Sequence, residues 1–190
     1  MRLFVATVVA ATMMLSACDG SEATKPALSA PAPAAVGVSL QTAQPQYPRG
    51  TAPKIDMVLR NNGGRPCKLP SSATGAVEVL SVTRDSQAVI AKGGTDSYYN
   101  GLSAVVADNL QSVPPGQSLT VPLDIETVPN SPPTLVASLQ TPSDEGRTTS
   151  WPLDQPGSYR ITARPAQVAG ITDMCAVPST SSTVEFGVQP

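Results

Sequence analysis

Proline and glycine interrupt this chain too often for long helices. Its 190 residues include 20 Pro and 14 Gly, and only 14% are charged. Such a composition makes many turns and little of the charged surface that long solvent-facing helices need. From Val36 onward the stretches between breakers are short and rich in β-branched residues. Residues 36–40, 54–60, 76–83, 88–91, 117–125, 158–163 and 183–188 read as strands, and 135–139 fits a strand or a helical turn. Asn61-Asn62-Gly63-Gly64 ends the second run with residues that accept positive φ, and Asp85-Ser86 forms a hairpin turn. Pro122 has no N–H to give a ladder, which places its strand at an edge or a bulge. The expectation is an all-β Greek-key sandwich of about seven to nine strands over residues 36–190.

Leu153-Asp154-Gln155-Pro156-Gly157-Ser158-Tyr159 sharpens that expectation. Leu-x-x-Pro-Gly-x-Tyr running into a strand resembles the tyrosine corner of Greek-key sandwiches, in which the hydroxyl bonds to backbone just upstream. Leu153, Pro156, Gly157 and Tyr159 carry the resemblance; the plainer reading is a turn before a strand with a core tyrosine. Ile161 stands where an antibody domain has its second cysteine. The resemblance is therefore to immunoglobulin-like folds of the fibronectin type III or bacterial kind. Trp151 reads as a core plug. The order of the strands at 54–60, 115–125 and 156–163 also resembles intracellular proteinase inhibitor-like domains, over roughly half the chain. Leu59-Arg60-Asn61-Asn62 is similar to the hydrophobic-x-Asn strand ending of that family. The aromatic content, 4%, is lower than such families carry.

At the other end, Arg2 precedes the apolar stretch 3–14, which is short for a membrane span and has the layout of a secretory signal. Leu15-Ser16-Ala17-Cys18 resembles a bacterial lipobox. The resemblance implies cleavage after residue 17 and acylation of Cys18, with two or three chains forming a firm anchor. Without the resemblance, the same residues are an ordinary cleaved signal with a cysteine beside it. Asp19 resembles the retention signal of enteric bacteria, which implies the periplasmic face of the inner membrane in that lineage. Residues 18–35 alternate Ala and Pro with almost no bulky apolar side chain, the composition of an extended tether. Loss of residues 1–17 removes Arg2 and no acid, taking the net charge from −2 to −3. No basic stripe argues for nucleic acid.

Once Cys18 is assigned to the lipid, Cys67 and Cys175 remain as a disulfide pair in a compartment where disulfides persist. The alternative is two separate thiols. Cys67 follows the second strand and Cys175 lies between the last two. In the expected topology both loops gather at one end, so the bridge staples the rim rather than crossing the core.

Catalytic chemistry finds little footing. There is no histidine, which excludes Ser-His-Asp and Cys-His arrangements and imidazole metal sites. Asp124, Glu126, Asp144 and Glu145 lie in turns or alternate along a strand, the pattern of solvated carboxylates. Gly63-Gly64 and Gly93-Gly94 are turn pairs, not phosphate loops. Met57, Met174 and Cys175 offer soft ligands for monovalent copper; core and loop methionines are the simpler reading, and no cofactor is expected. Tyr98-Tyr99 and the segment 169–178, with Asp173 and Met174, are the candidate binding residues. The expectation is a non-enzymatic, lipid-anchored module of the bacterial cell envelope, bound to the membrane through its lipid and to another envelope protein. The alternative is an envelope proteinase inhibitor that uses the disulfide-held loop around Cys175.

Overall fold

The computed structural model describes residues 36–98, 100–171 and 174–190. The expected signal segment 1–17, Cys18 and the tether through residue 35 lie outside the described residues, as do Tyr99 and Asp173. In chain order the elements begin with β1 (Val36–Thr42), β2 (Gln46–Tyr47), β3 (Ile55–Asn61), β4 (Cys67–Pro70), β5 (Val77–Arg84), β6 (Gln87–Ala88) and β7 (Lys92–Asp96). A short helix α1 (Leu102–Asp108) is followed by β8 (Leu110–Val113), β9 (Ser118–Pro122), β10 (Ile125–Glu126) and β11 (Thr134–Gln140). β12 (Gly146–Pro152), β13 (Gly157–Pro165) and β14 (Ser182–Val188) complete the order.

The fold is all-β. One sheet has the order β1-β3-β9, and another has the order β2-β14-β13-β5-β6. β1 packs beside β14 and β13 of that second sheet. The chain passes from β3 to β5 and again from β9 to β13, crossing each time between the sheets as a Greek key requires. β2 pairs in parallel with β14, and every other strand pair is antiparallel. A third sheet, β10-β11-β12-β7, packs against β5 through β11, and β4 pairs with β8.

Side-chain alternation explains the central strands. β3 turns Ile55, Met57, Leu59 and Asn61 inward, and β13 turns Tyr159, Ile161, Ala163 and Pro165 inward. The core is mostly aliphatic, with Trp151 and one cluster of three rings. Phe186 of β14 stacks on Tyr159 at 5.4 Å and meets Tyr47 edge-on at 5.7 Å. The Tyr47 hydroxyl donates to the Lys54 carbonyl and accepts the Lys54 N–H, both at 3.1 Å. That closes the β1–β3 connection around a buried ring.

At the start of β13, Gln155 N–H donates to the Tyr159 hydroxyl at 3.2 Å. Tyr159 and Leu153 are each 1% exposed. Gly157 has φ +144, and a Cβ there would collide with the Asp85 carboxylate, so the bend accepts only glycine. Asp85 in turn accepts the Ser158 N–H at 2.8 Å. Asp85 and Ser86 have φ of +49 and +68, the two positive values of a type I′ hairpin turn.

The run read as one strand over 117–125 is divided. β9 ends at Pro122 as the edge of its sheet, Leu123 N–H still reaches the Ile55 carbonyl at 2.9 Å, and β10 joins a different sheet. The reading of 88–91 as a strand is too long, since only Gln87–Ala88 pairs as strand. The segment 135–139 is strand. β4, β7, β8, β12 and α1 did not stand out in the sequence.

Asp144 fastens α1 to the turn between β11 and β12. Its carboxylate accepts the Ser103 hydroxyl at 2.6 Å, the Ser103 N–H at 2.9 Å and the Gln140 amide at 2.7 Å. Its backbone carbonyl accepts the Leu102 N–H at 2.8 Å. The Ser103 hydroxyl, then the Gln140 amide and the Ser103 N–H, lower the Asp144 pKa below 3.8. Burial acts oppositely on Asp124, raising its pKa despite the lowering hydrogen bond from Thr74.

Two outcomes follow from this packing. Tyr159→Phe leaves the Gln155 N–H without its acceptor and is expected to cost about 1–2 kcal/mol in denaturant unfolding; an unchanged midpoint would place that hydroxyl in solvent. Asp144→Asn is expected to be less stable than the native chain at neutral pH. A lowered carboxylate pKa stabilises above the unfolded value, and that contribution fades as the pH falls through 3.8 and below. The stability difference between the two proteins should therefore narrow in acid, read by urea titrations from pH 7 to 2.

Candidate functional site

Between Pro165 and Ser182 the chain makes a long excursion with no strand among its described residues. A structureless connection of that length in a compact domain is unusual and is commonly functional. This one is fastened repeatedly. Ala166 N–H donates to the Ala76 carbonyl at 2.8 Å, and Ala169 N–H to Oε1 of Gln140 at 2.9 Å. Cys175 N–H donates to the Lys68 carbonyl at 2.9 Å, and the Gln167 side-chain amide to the Val177 carbonyl at 3.1 Å. A disulfide joins Cys67 to Cys175 across a sequence separation of 108, with Cα atoms 5.2 Å apart. Lys68 and Met174 also form a parallel bridge.

The facing loop is organised by Asn61, the inward residue that ends β3. Its side chain is 0% exposed, yet no polar atom of it lacks a partner. Nδ2 donates to the carbonyls of Arg65 and Val113, and Oδ1 accepts the Gly63 N–H, each at 2.9 Å. The Asn61 backbone donates to Gln117 at 2.9 Å and accepts from Gly116 at 2.7 Å. One residue thus holds the loop that carries Arg65 and Pro66 into Cys67, the first residue of β4, against the start of β9. Val36 pairs with Asn61, so the described chain begins at this same end of the sandwich.

Between the two loops lies an open groove of about 530 Å³. Gly63, Gly64, Arg65 and Pro66 form one wall, Met174 and Ala176 the other, and the disulfide lies between them. Arg65, Pro66 and Ala176 are exposed and Met174 is half-buried. Among the described residues that line it the surface is apolar with one cation, which suits contact with another protein better than chemistry on a small molecule. Neither sulfur of the bridge is a thiolate, and Met57 is 0% exposed in the core, so these residues do not assemble a copper site. No three Cys, Asp or Glu side chains converge on a cation site among the described residues.

The structure separates the other candidates. Tyr98 is half-buried, with its ring over Gly146 so closely that a Cβ there would lie 2.7 Å from it. The Tyr98 hydroxyl stands 3.5 Å from the Ser138 hydroxyl. It packs against the third sheet and takes no part in the groove; Met174 does. Trp151 is buried on β12, within the core. Asn61 was legible only as a strand ending; the signal for its role is its position, fourth in the inward series Ile55, Met57, Leu59, Asn61.

Replacing both Cys67 and Cys175 by serine is expected to lower stability by up to about 4–5 kcal/mol, the chain-entropy limit for so long a loop. Peptide mass spectrometry without reduction should recover the two cysteines joined. No protein-family model matches the chain, and neither a curated protein nor a solved structure matches it.

Proposed function

We propose that this chain is a lipid-anchored binding or assembly module of the bacterial cell envelope, non-enzymatic, whose recognition surface is the groove beside the disulfide. The observation that carries the reading is the bridged loop. A 108-residue separation is closed by Cys67–Cys175, and hydrogen bonds from Ala166, Ala169 and Cys175 hold described parts of the excursion to the sandwich. A loop held in advance loses little entropy on binding. Loops on a rigid frame are also the usual place for recognition. The lipobox resemblance at Leu15–Cys18 and the Ala/Pro-rich residues after it support the envelope address.

Cys18→Ala is expected to move the protein from the membrane fraction to a soluble or unprocessed form, because all acyl chains are lost together. Retention in the membrane fraction at the native level would remove the anchor from the proposal. Recognition is tested with the full chain as bait in detergent-solubilised envelope. Met174→Glu, which puts a charge on the apolar wall, should weaken capture of any specific partner about tenfold or more. A substitution at Ser86, in the hairpin turn at the far end, should leave capture unchanged. Inhibition in a protease panel, lost on reduction of the disulfide, would assign the same loop to the proteinase-inhibitor reading.

A further inference from the structure

The pinned loop also borders a second cavity, which shares no lining residue with the groove. It is a cleft of about 330 Å³ between β12, β13 and the loop. Arg147 and Arg164 line it together with Glu78, Gln167 and Ser179, and Leu139 supplies an apolar surface. Arg164 is held by a single contact, Nε to Oε2 of Glu78 at 2.6 Å, with the two side chains 36% and 27% exposed. Arg147 is exposed, and its guanidinium makes no hydrogen bond or ion pair among the described residues. The Gln167 amide is oriented by the Val177 carbonyl. Two guanidiniums against one carboxylate leave the cleft with a positive charge, in a chain whose net charge is −2.

We infer that this cleft receives a carboxylate from an acidic stretch of a partner polypeptide. A guanidinium fork matches a carboxylate with two parallel N–H···O bonds, and the Arg147 guanidinium has no partner among the described residues. The volume is at the lower limit of pockets that enclose a whole small molecule, and it suits one side chain or a chain end. Arg164, already oriented by Glu78, supplies the second positive wall. The inference rests on the reading of the β13–β14 loop as the recognition element, since Gln167 and Ser179 of that loop complete the cleft.

The test uses the full chain with ¹⁵N-labelled arginine, followed by NMR during titration with a hexaglutamate peptide. The Nε–Hε resonances of Arg147 and Arg164 should shift saturably. Arg160, paired with Glu185 on β14, should not move. Arg147→Gln should weaken the apparent Kd about fivefold, the scale of one exposed charge pair, with the backbone amide spectrum unchanged. Arg147→Lys, which keeps the charge and loses the fork, should fall between the two. An Arg147 signal that stays still, or an Arg160 signal that shifts equally, overturns the assignment. Saturation by inorganic phosphate at the same or lower concentration overturns the peptide carboxylate in favour of a free anion. A partner captured equally well by the native chain and by Arg147→Gln overturns the carboxylate site while leaving the groove reading standing.

Discussion

The loop end of this domain depends on one buried amide. The inward row of β3 would end naturally in another aliphatic side chain, and Asn61 stands there instead. Its three side-chain hydrogen bonds tie the carbonyls of Arg65 and Val113 and the Gly63 N–H to one point. A leucine at this position would fill similar space and strand all three groups, each at a cost of about 1–3 kcal/mol if it stayed buried. The loops would then have to open to water. The disulfide constrains the same region covalently, but it fixes one point of each loop. Asn61 determines the course of the backbone between those points, and so the width of the groove.

What could be read from the sequence follows from where local chemistry and tertiary packing agree. The sandwich strands β1, β3, β5, β13 and β14 have clear alternation and turn residues at their ends, and their expected bounds lie within one or two residues of the structure. The Cys67–Cys175 pairing was legible once the remaining cysteine had an assignment. β7 was not legible, because Lys92-Gly93-Gly94-Thr95-Asp96 has two glycines, a single β-branched residue and no apolar face. It is a strand because β12 offers it a ladder. β12 is similarly polar in Arg147-Thr148-Thr149-Ser150 and takes its conformation from neighbours on both sides. The helix α1 has seven residues and no side-chain cap of its own, and its N-terminal groups are satisfied by Asp144, about forty positions away. No local rule could find that partner. The same holds for the cleft arginines, which come from separate strands of two different sheets.

The two ends of the sandwich are held by different means. At the end with the Asp85-Ser86 turn, much of the restraint is turn geometry, in positive-φ residues, a glycine bend and a tyrosine hydroxyl bonded four residues upstream, and hydrogen bonds between Asp85 and Ser158 join the two turns. At the other end it comes from contacts between segments far apart in sequence, with Cys67, Asn61 and Gln140 each fixing a distant loop. Long-range restraint allows a loop to be long and still ordered. That combination suits a surface whose shape must persist before a partner arrives.

The position of β14 in its sheet has a consequence for how the chain reaches this structure. β14 is an inner strand, hydrogen-bonded to β13 on one side and to β2 on the other, although its residues come after all the others of the sandwich. Phe186 also supplies the ring on which Tyr47 and Tyr159 meet. During synthesis the core therefore stays incomplete until residues 182–188 have emerged, because the second sheet lacks this interior strand before then. The pairing of β14 with β13 is local, but its pairing with β2 joins residues 141 positions apart (Gly187 with Gln46), the kind of long-range contact that folds slowly.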